Sequence, residues 1–292
     1  MINSIHNLFL DSGAHGLYNQ HVVKNKNKYD WYSSFAFEEY VDKYVSFVKE
    51  NKNKISVYPN IDVIFRPELT WKIQLLLEKK GINPIPVVHY GTDIKWLKRY
   101  MARGYDYIAL GGLGQTVNAR NYPNWADEIF KEICDQPSHL PKIKTHGFAM
   151  TSHKLMTRYP WYSVDSKSWI SFGAYGFVLI PARTNGKWDY TKPFFMVRTS
   201  IRPCKASSPF KAEAKKETHV QKLFKQYIEE KGYELGESIL DENRNEVIIK
   251  PGLINDDKER CTLNGIYFID LAEHLPEWPW PFFTKTKKLT LL

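Results

Sequence analysis

The chain has 292 residues, 43% hydrophobic and 25% charged, with 41 Lys and Arg against 32 Asp and Glu for a formal charge of +9. Those proportions are ordinary for a soluble globular protein, and the length allows ample burial. No apolar run approaches the ~20 residues that span a bilayer, and three widely separated cysteines (Cys134, Cys204 and Cys261) speak against a disulfide framework or a compact zinc knuckle.

From the N-terminus, one pattern recurs: a short apolar run, a polar or glycine-bearing turn, then an amphipathic helix. The runs are NLFLDSG (7–13), ISVYPNIDVIF (55–65), NPIPVVHYG (83–91), YDYIALGGL (105–113), KIKTHGFAM (142–150) and WYSVDSKSW (161–169). Near-continuous apolar segments of this length predict parallel strands buried on both faces. Between them, FEEYVDKYVSFVKEN places Val41, Tyr44, Val45 and Val48 on one helical face. RPELTWKIQLLLEKKG starts near Pro67 and stops at Gly81. TDIKWLKRYMARG offers Thr92 as a cap, an Ile94, Leu97 and Met101 stripe, and a stop at Gly104. NWADEIFKEICDQP repeats the design with Trp125, Ile129 and Ile133.

Strand and helix alternation implies a parallel sheet covered by helices. With no glycine-rich dinucleotide fingerprint after any strand, the expected fold class is α/β, a TIM-like (β/α) barrel with a β-rich insertion and a C-terminal extension. Residues 1–292 are expected to form a single domain, with a barrel core over about 5–170 and the remaining elements in 171–292. Past residue 170, SFGAYGFVLIPARTNGKWDYTKPFFMVRTS predicts strands joined at Thr184-Asn185-Gly186. A helix is expected over 218–232, and further elements over NEVIIKPG and 261–275. The tail PEWPWPFFTKTKKLTLL mixes aromatics, prolines and lysines.

In such barrels chemistry sits at the carboxyl ends of the strands. Here those ends carry Asp11, Asp62, His89 with Tyr90, Gly111 with Gly112, His146 and Asp165. Each has a plainer reading. Asp11-Ser12-Gly13 is also turn chemistry, Asp165-Ser166 also a cap or turn, Asp62 also a salt-bridge partner, and the histidines also structural.

IALGGLG (108–114) and LDSGA (10–14) resemble motifs of the tRNA-guanine transglycosylase superfamily, and THGFAMTSHKLMTRYPWYSVDSKSW (145–169) resembles its phage and bacterial DNA branch, the 7-deazaguanine DNA transglycosylases. The order DSGA, NIDVIF, VVHYG, ALGGL, HGF, VDS agrees along residues 5–170. The resemblance implies a (β/α) barrel that exchanges guanine in DNA for a free 7-deazaguanine base, such as preQ0, as co-substrate. It implies Asp165 as nucleophile and Asp11 beside the exchanged base, in acid/base work or recognition. Asp62 would read the base's polar edge, with His89, Tyr90, Gly111, Gly112, Leu113 and His146 around it. Arg158, Lys167, Lys285, Lys287 and Lys288 are candidate phosphate contacts, in keeping with the basic surplus, which also reads as a lysine-rich solubilising surface. The C-x-C-x-x-C zinc site of the tRNA enzymes has no counterpart in the sequence, so no zinc or other cofactor is expected and DNA is favoured over tRNA. The alternatives are a tRNA enzyme, a non-catalytic nucleic-acid-binding subunit, or a barrel hydrolase. No membrane partner is expected, and helper proteins are left unspecified. The N-terminus lacks a signal peptide's basic start and small-residue cleavage site, so the expected location is cytoplasmic, the host cytoplasm if the chain is phage-encoded.

Overall fold

A computed structural model describes residues 8–26, 28–112, 121–150, 152–202 and 218–284. It is a mixed α/β structure whose described residues cluster into two compact units. The first comprises those up to Met150, Tyr159–Asp165 and those from Trp278 onward; the second comprises the rest.

The first unit is built on parallel strands taken in chain order. β1 (Leu8–Phe9) pairs with β2 (Ile55–Val57). β3 (Val87–His89), β4 (Tyr107–Gly111), β5 (Lys144–Gly147) and β6 (Ser163–Val164) form a four-stranded parallel sheet in that order. A parallel bridge between Pro59 and Ile85 links the two sets. Its bonds run from Ile85 N–H to the Tyr58 carbonyl and from Asn60 N–H to the Ile85 carbonyl, both 2.9 Å. Six consecutive strands therefore run side by side in one direction.

The helices follow from their sequences. α1 (Ala14–Leu17) runs into a π-helical turn over Tyr18–Val23. α2 (Phe35–Glu50) starts where the Ser34 hydroxyl accepts from Phe37 N–H, and it buries Phe37, Val41, Tyr44, Val45 and Val48. This is the stripe that period 3.6 predicts, and each such side chain contributes roughly 1.5–3 kcal/mol on burial. α3 (Pro67–Lys79) begins on its proline, whose fixed φ suits a first turn. α4 (Lys95–Ala102) begins later than Thr92 predicts: the Thr92 hydroxyl donates to the His89 carbonyl, and Asp93 Oδ1 accepts from Lys95 N–H at 2.8 Å. Its buried stripe is Trp96, Leu97 and Tyr100 rather than Ile94, Leu97 and Met101. α5 (Tyr122–Ile133) buries Tyr122, Ala126, Ile129, Phe130 and Ile133.

The expected strand over 55–65 stops at Val57. Pro59 has no N–H to give a ladder, and the chain becomes a buried loop pinned by α3. Thr70 Oγ1 accepts from Val63 N–H at 2.9 Å, and Asn60 Nδ2 donates to the Thr70 carbonyl at 2.9 Å. Asp62 is carried by this loop.

The second unit holds α6 (His153–Met156) and α7 (Ser168–Ala174), the latter where strand was expected to begin. β7 (Phe177–Ile180) pairs antiparallel with the later β10 (Phe195–Arg198). Between them β8 (Ala182–Thr184) and β9 (Lys187–Asp189) form the expected hairpin, with Asn185 and Gly186 at φ 50° and 77° as a tight primed turn requires. α8 (His219–Glu230) carries a full capping box between Thr218 and Gln221. An antiparallel hairpin of β11 (Glu237–Leu240) and β12 (Glu246–Lys250) precedes α9 (Asp257–His274), which Asp256 caps. Val178, Ile180, Val197, Phe224, Tyr227 and Leu263 lie in its core. Among the described residues no helix is long and apolar enough to cross a membrane.

Candidate active site

Side chains alternate across a strand, so the register of the parallel sheet sorts the site residues. His89 is level with Gly111, and Ala109 with His146. Ser163 is turned to the same face, because its hydroxyl bonds His146 Nδ1 at 2.7 Å. Phe9, from the far end of the strand series, stacks its ring on His146 with centroids 4.1 Å apart and planes at 23°. Strands one and five are separated by three others, so this contact requires the sheet to curl toward the face that carries these residues, its inner face.

Two polar clusters occupy that inner face at the carboxyl ends of the strands. In the first, His89 Nε2 and Asp62 Oδ2 are 2.7 Å apart with side chains only 6% and 9% exposed. Gly111 fits closely beside them, since a Cβ there would lie 3.1 Å from His89 Cδ2. Gly112 is required. Its φ is 111°, and a Cβ would meet Tyr90 Cβ at 2.6 Å.

The second cluster ends on Asp165. Its Oδ1 accepts from Ala149 N–H at 2.8 Å and stands 3.8 Å from His146 Nε2, beyond hydrogen-bond distance. Ala149 adopts φ 54°, an uncommon conformation for a residue with a Cβ, and this turn aims its N–H at the carboxylate. The Asp165 side chain is 51% exposed whereas His146 is 2% exposed, so the carboxylate is the accessible end of a buried chain of groups. Burial pushes the Asp165 pKa up, but the His146 imidazole and the Ala149 N–H pull it down by more, leaving it below the ordinary carboxylate value.

Asp11 follows β1, which Leu10 N–H extends by a bond to the Val57 carbonyl. Its side chain is exposed, and its Oδ1 accepts from Gly13 N–H at 2.9 Å, so the turn chemistry is present. The carboxylate is also felt by two tyrosines of α2. Tyr40 donates to the Ser12 carbonyl at 2.7 Å, and its phenol is raised in pKa by burial and then by Asp11. The Tyr44 phenol is raised chiefly by burial, with smaller contributions from both Asp11 and Asp62. Phe9, two residues before Asp11, lies on His146, and the register sets His89, with its partner Asp62, on the same face of the sheet as His146.

Tyr90 points to the opposite face of the sheet from His89, where its ring packs against Tyr122 and Trp125 of α5, both at 5.7 Å. Gly111 and Gly112 are accounted for by His89 and Tyr90 rather than by open space. Arg158 and the exposed Lys167 belong to the second unit. Leu113, Lys285, Lys287 and Lys288 lie outside the described residues. Among the described residues no group of three or more His, Cys, Asp or Glu is placed to hold a metal ion.

Comparisons with protein-family models, curated proteins and solved structures return no match.

Ser163, Tyr107, Ala149 and Phe9 also belong to this site, and sequence reasoning passed over them. Tyr107 Oη lies 2.6 Å from Ser163 Oγ, which continues the chain of groups behind His146. The available signal was period 2: Ser163 precedes Asp165 by two residues and must share its face.

Proposed function

We propose that this chain is a base-exchange transglycosylase that replaces guanine in DNA with a 7-deazaguanine through a covalent aspartyl-deoxyribosyl intermediate on Asp165. The observation that carries the reading is an exposed carboxylate, held below its ordinary pKa, at the same strand ends as a buried Asp62–His89 pair. The six parallel strands in chain order and the contact of Phe9 with His146 support a (β/α) barrel beneath it.

Asp165 attacks C1′ of the target nucleotide, and the C1′–N9 bond breaks with its electron pair leaving on guanine. Asp11 supplies the proton that the departing base needs. The 7-deazaguanine then gives its N9 proton to Asp11, N9 attacks C1′, and the Asp165 ester oxygen departs as a carboxylate. Two displacements retain configuration at C1′. A carboxylate of lowered pKa suits both halves, because it is ionised at neutral pH and leaves readily. The negative charge also stabilises the cation-like centre between them.

Asp62 accepts from the amino and imino edge of the base, and His89 holds that carboxylate in place. Phe148, whose ring meets Phe9 at 6.1 Å and His146 at 4.7 Å, supplies an aromatic edge nearby. The nucleotide must be turned out of the duplex to reach Asp165, which costs a few kcal/mol.

Incubation with labelled 7-deazaguanine and either duplex DNA or tRNA, followed by nucleoside mass spectrometry, tests this. Label is expected in deoxynucleosides with the wild type and not with Asp165→Asn. Label in tRNA alone would redirect the reading to RNA. Abasic sites without incorporation would make the chain a hydrolase.

A further inference from the structure

Behind Asp165 runs a line of groups whose hydrogen-bond directions can be worked out. Tyr107 Oη and Ser163 Oγ are 2.6 Å apart, and Ser163 Oγ and His146 Nδ1 are 2.7 Å apart. His146 Nε2 is buried with no hydrogen-bond partner among the described residues, and the Asp165 carboxylate is the charged group facing it. The rest of the ring is covered by Phe9 from β1 and by Phe148 beyond β5.

A phenol that keeps its proton donates it, and the Tyr107 phenol is raised in pKa chiefly by burial. Ser163 is its partner in the structure, so Ser163 accepts from Tyr107. The single Ser163 proton then goes to His146 Nδ1, which must accept. An imidazole that accepts at Nδ1 carries its proton at Nε2. If His146 Nδ1–H donated instead, either the Ser163 proton or the Tyr107 proton would be left without a protein acceptor among the described residues, and the Nε2 lone pair would face a carboxylate.

We infer that Tyr107 and Ser163 lock His146 in the Nε2–H tautomer, making His146 a positioning residue whose fixed donor faces the Asp165 carboxylate. Asp165 closing on that donor from 3.8 Å would be held in one orientation with one oxygen free. The inference rests on the transglycosylase reading only for its consequence in turnover, since the tautomer itself is a property of the resting protein.

The full chain, labelled with 15N-histidine, allows a direct test. The His146 signal, assigned by its loss in His146→Gln, is expected at neutral pH with a protonated Nε2 and an unprotonated Nδ1. Ser163→Ala and Tyr107→Phe remove one hydroxyl each with little change of shape. Each is expected to shift the ring toward a mixture of tautomers and to move the Asp165 13Cγ titration midpoint up toward the ordinary carboxylate value. Turnover, where exchange is measured, should fall about tenfold through kcat with KM unchanged. A protonated Nδ1 in the wild type, or variants that leave both the tautomer and the Asp165 midpoint unmoved, would overturn the inference. Failure of base exchange on every polymer, with the NMR result as expected, would instead count against the transglycosylase reading alone.

Discussion

The core of the second unit and the inner face of the first both hold buried polar side chains, and these two places satisfy them differently. In the second unit Asn264 is fully enclosed. Its Oδ1 accepts from Leu179 N–H at 2.8 Å, and its Nδ2 donates to the carbonyls of Phe177 and Trp169 at 3.0 and 3.3 Å. Arg260 likewise spends its guanidinium on the carbonyls of Gly173, Leu253 and Ile254 at 2.7–3.1 Å. These residues stitch backbone to backbone and hold a shape. On the inner face of the first unit, His89 bonds Asp62 and His146 bonds Ser163, and the second pair ends on a nitrogen with no partner among the described residues and an exposed carboxylate. Buried polar groups are ordinarily satisfied, and those that are not call for an explanation. Bonds to the main chain fix the architecture, whereas the open valence of His146 stands beside an accessible carboxylate.

The sharpest way to break this contrast is to exchange a residue of each kind. Asp165→Asn is expected to lower exchange by at least ~10³-fold, about 4 kcal/mol of activation free energy, with little change in the thermal midpoint. Arg260→Met should do the opposite. It strands three carbonyls, costs roughly 3 kcal/mol in denaturant titration, and leaves turnover of the folded fraction intact. If Arg260→Met abolished exchange without loss of stability, the distinction would collapse.

A smaller effect separates recognition from chemistry. Asp62→Asn keeps a polar group against His89 but replaces one acceptor with a donor. KM for the 7-deazaguanine should rise about 30-fold, roughly 2 kcal/mol, the scale of a misdirected charged hydrogen bond, with kcat less affected. Gly111→Ala presses a methyl to 3.1 Å from His89 Cδ2. A loss of about 1 kcal/mol in stability is expected, as for modest overpacking, together with weaker base binding measured by calorimetry.

The pH dependence refines the picture further. Asp165 is ionised in the folded state below the ordinary value of about 3.9, so its contribution to folding is complete above that value. It is lost as pH falls through the lower, folded pKa. Being half exposed, it gives only a shallow dependence, visible as the difference between wild-type and Asp165→Asn acid unfolding curves. A steeper loss of stability beginning above pH 4 in the wild type alone would contradict the assignment.

Much of this was legible in the sequence. All six apolar runs contain a parallel strand; β3, β4 and β5 are buried nearly throughout as expected, whereas β1, β2 and β6 are partly exposed. Pro67 and Gly81 bracket α3 for local reasons that no tertiary context overrides. The failures have equally local causes. Asp62 looked like a strand residue, but Pro59 cannot supply a ladder N–H and Thr70 takes over the backbone of the following loop. Thr92 looked like a cap, but its hydroxyl turns back to His89. Tyr90 sits beside His89 in sequence and therefore on the other side of the sheet. The relay of Tyr107 and Ser163 could not be read from residue types, since a tyrosine and a serine in two different strands announce nothing until the register sets both on the face of His146.

The order of the chain through the first unit has a consequence for biosynthesis. The strand that ends in Asp165 is followed by more than a hundred residues assigned to the other unit before the polypeptide returns at Trp278. On that return Phe282 is sealed in against Phe130 and Tyr159, with its N–H on the His139 carbonyl at 2.9 Å. A nascent chain released from the ribosome just after Asp165, the proposed nucleophile, would hold Asp11, Asp62 and Asp165 yet lack this wedge. Activity should therefore emerge late in translation, as one event, when the last aromatic segment clears the exit tunnel.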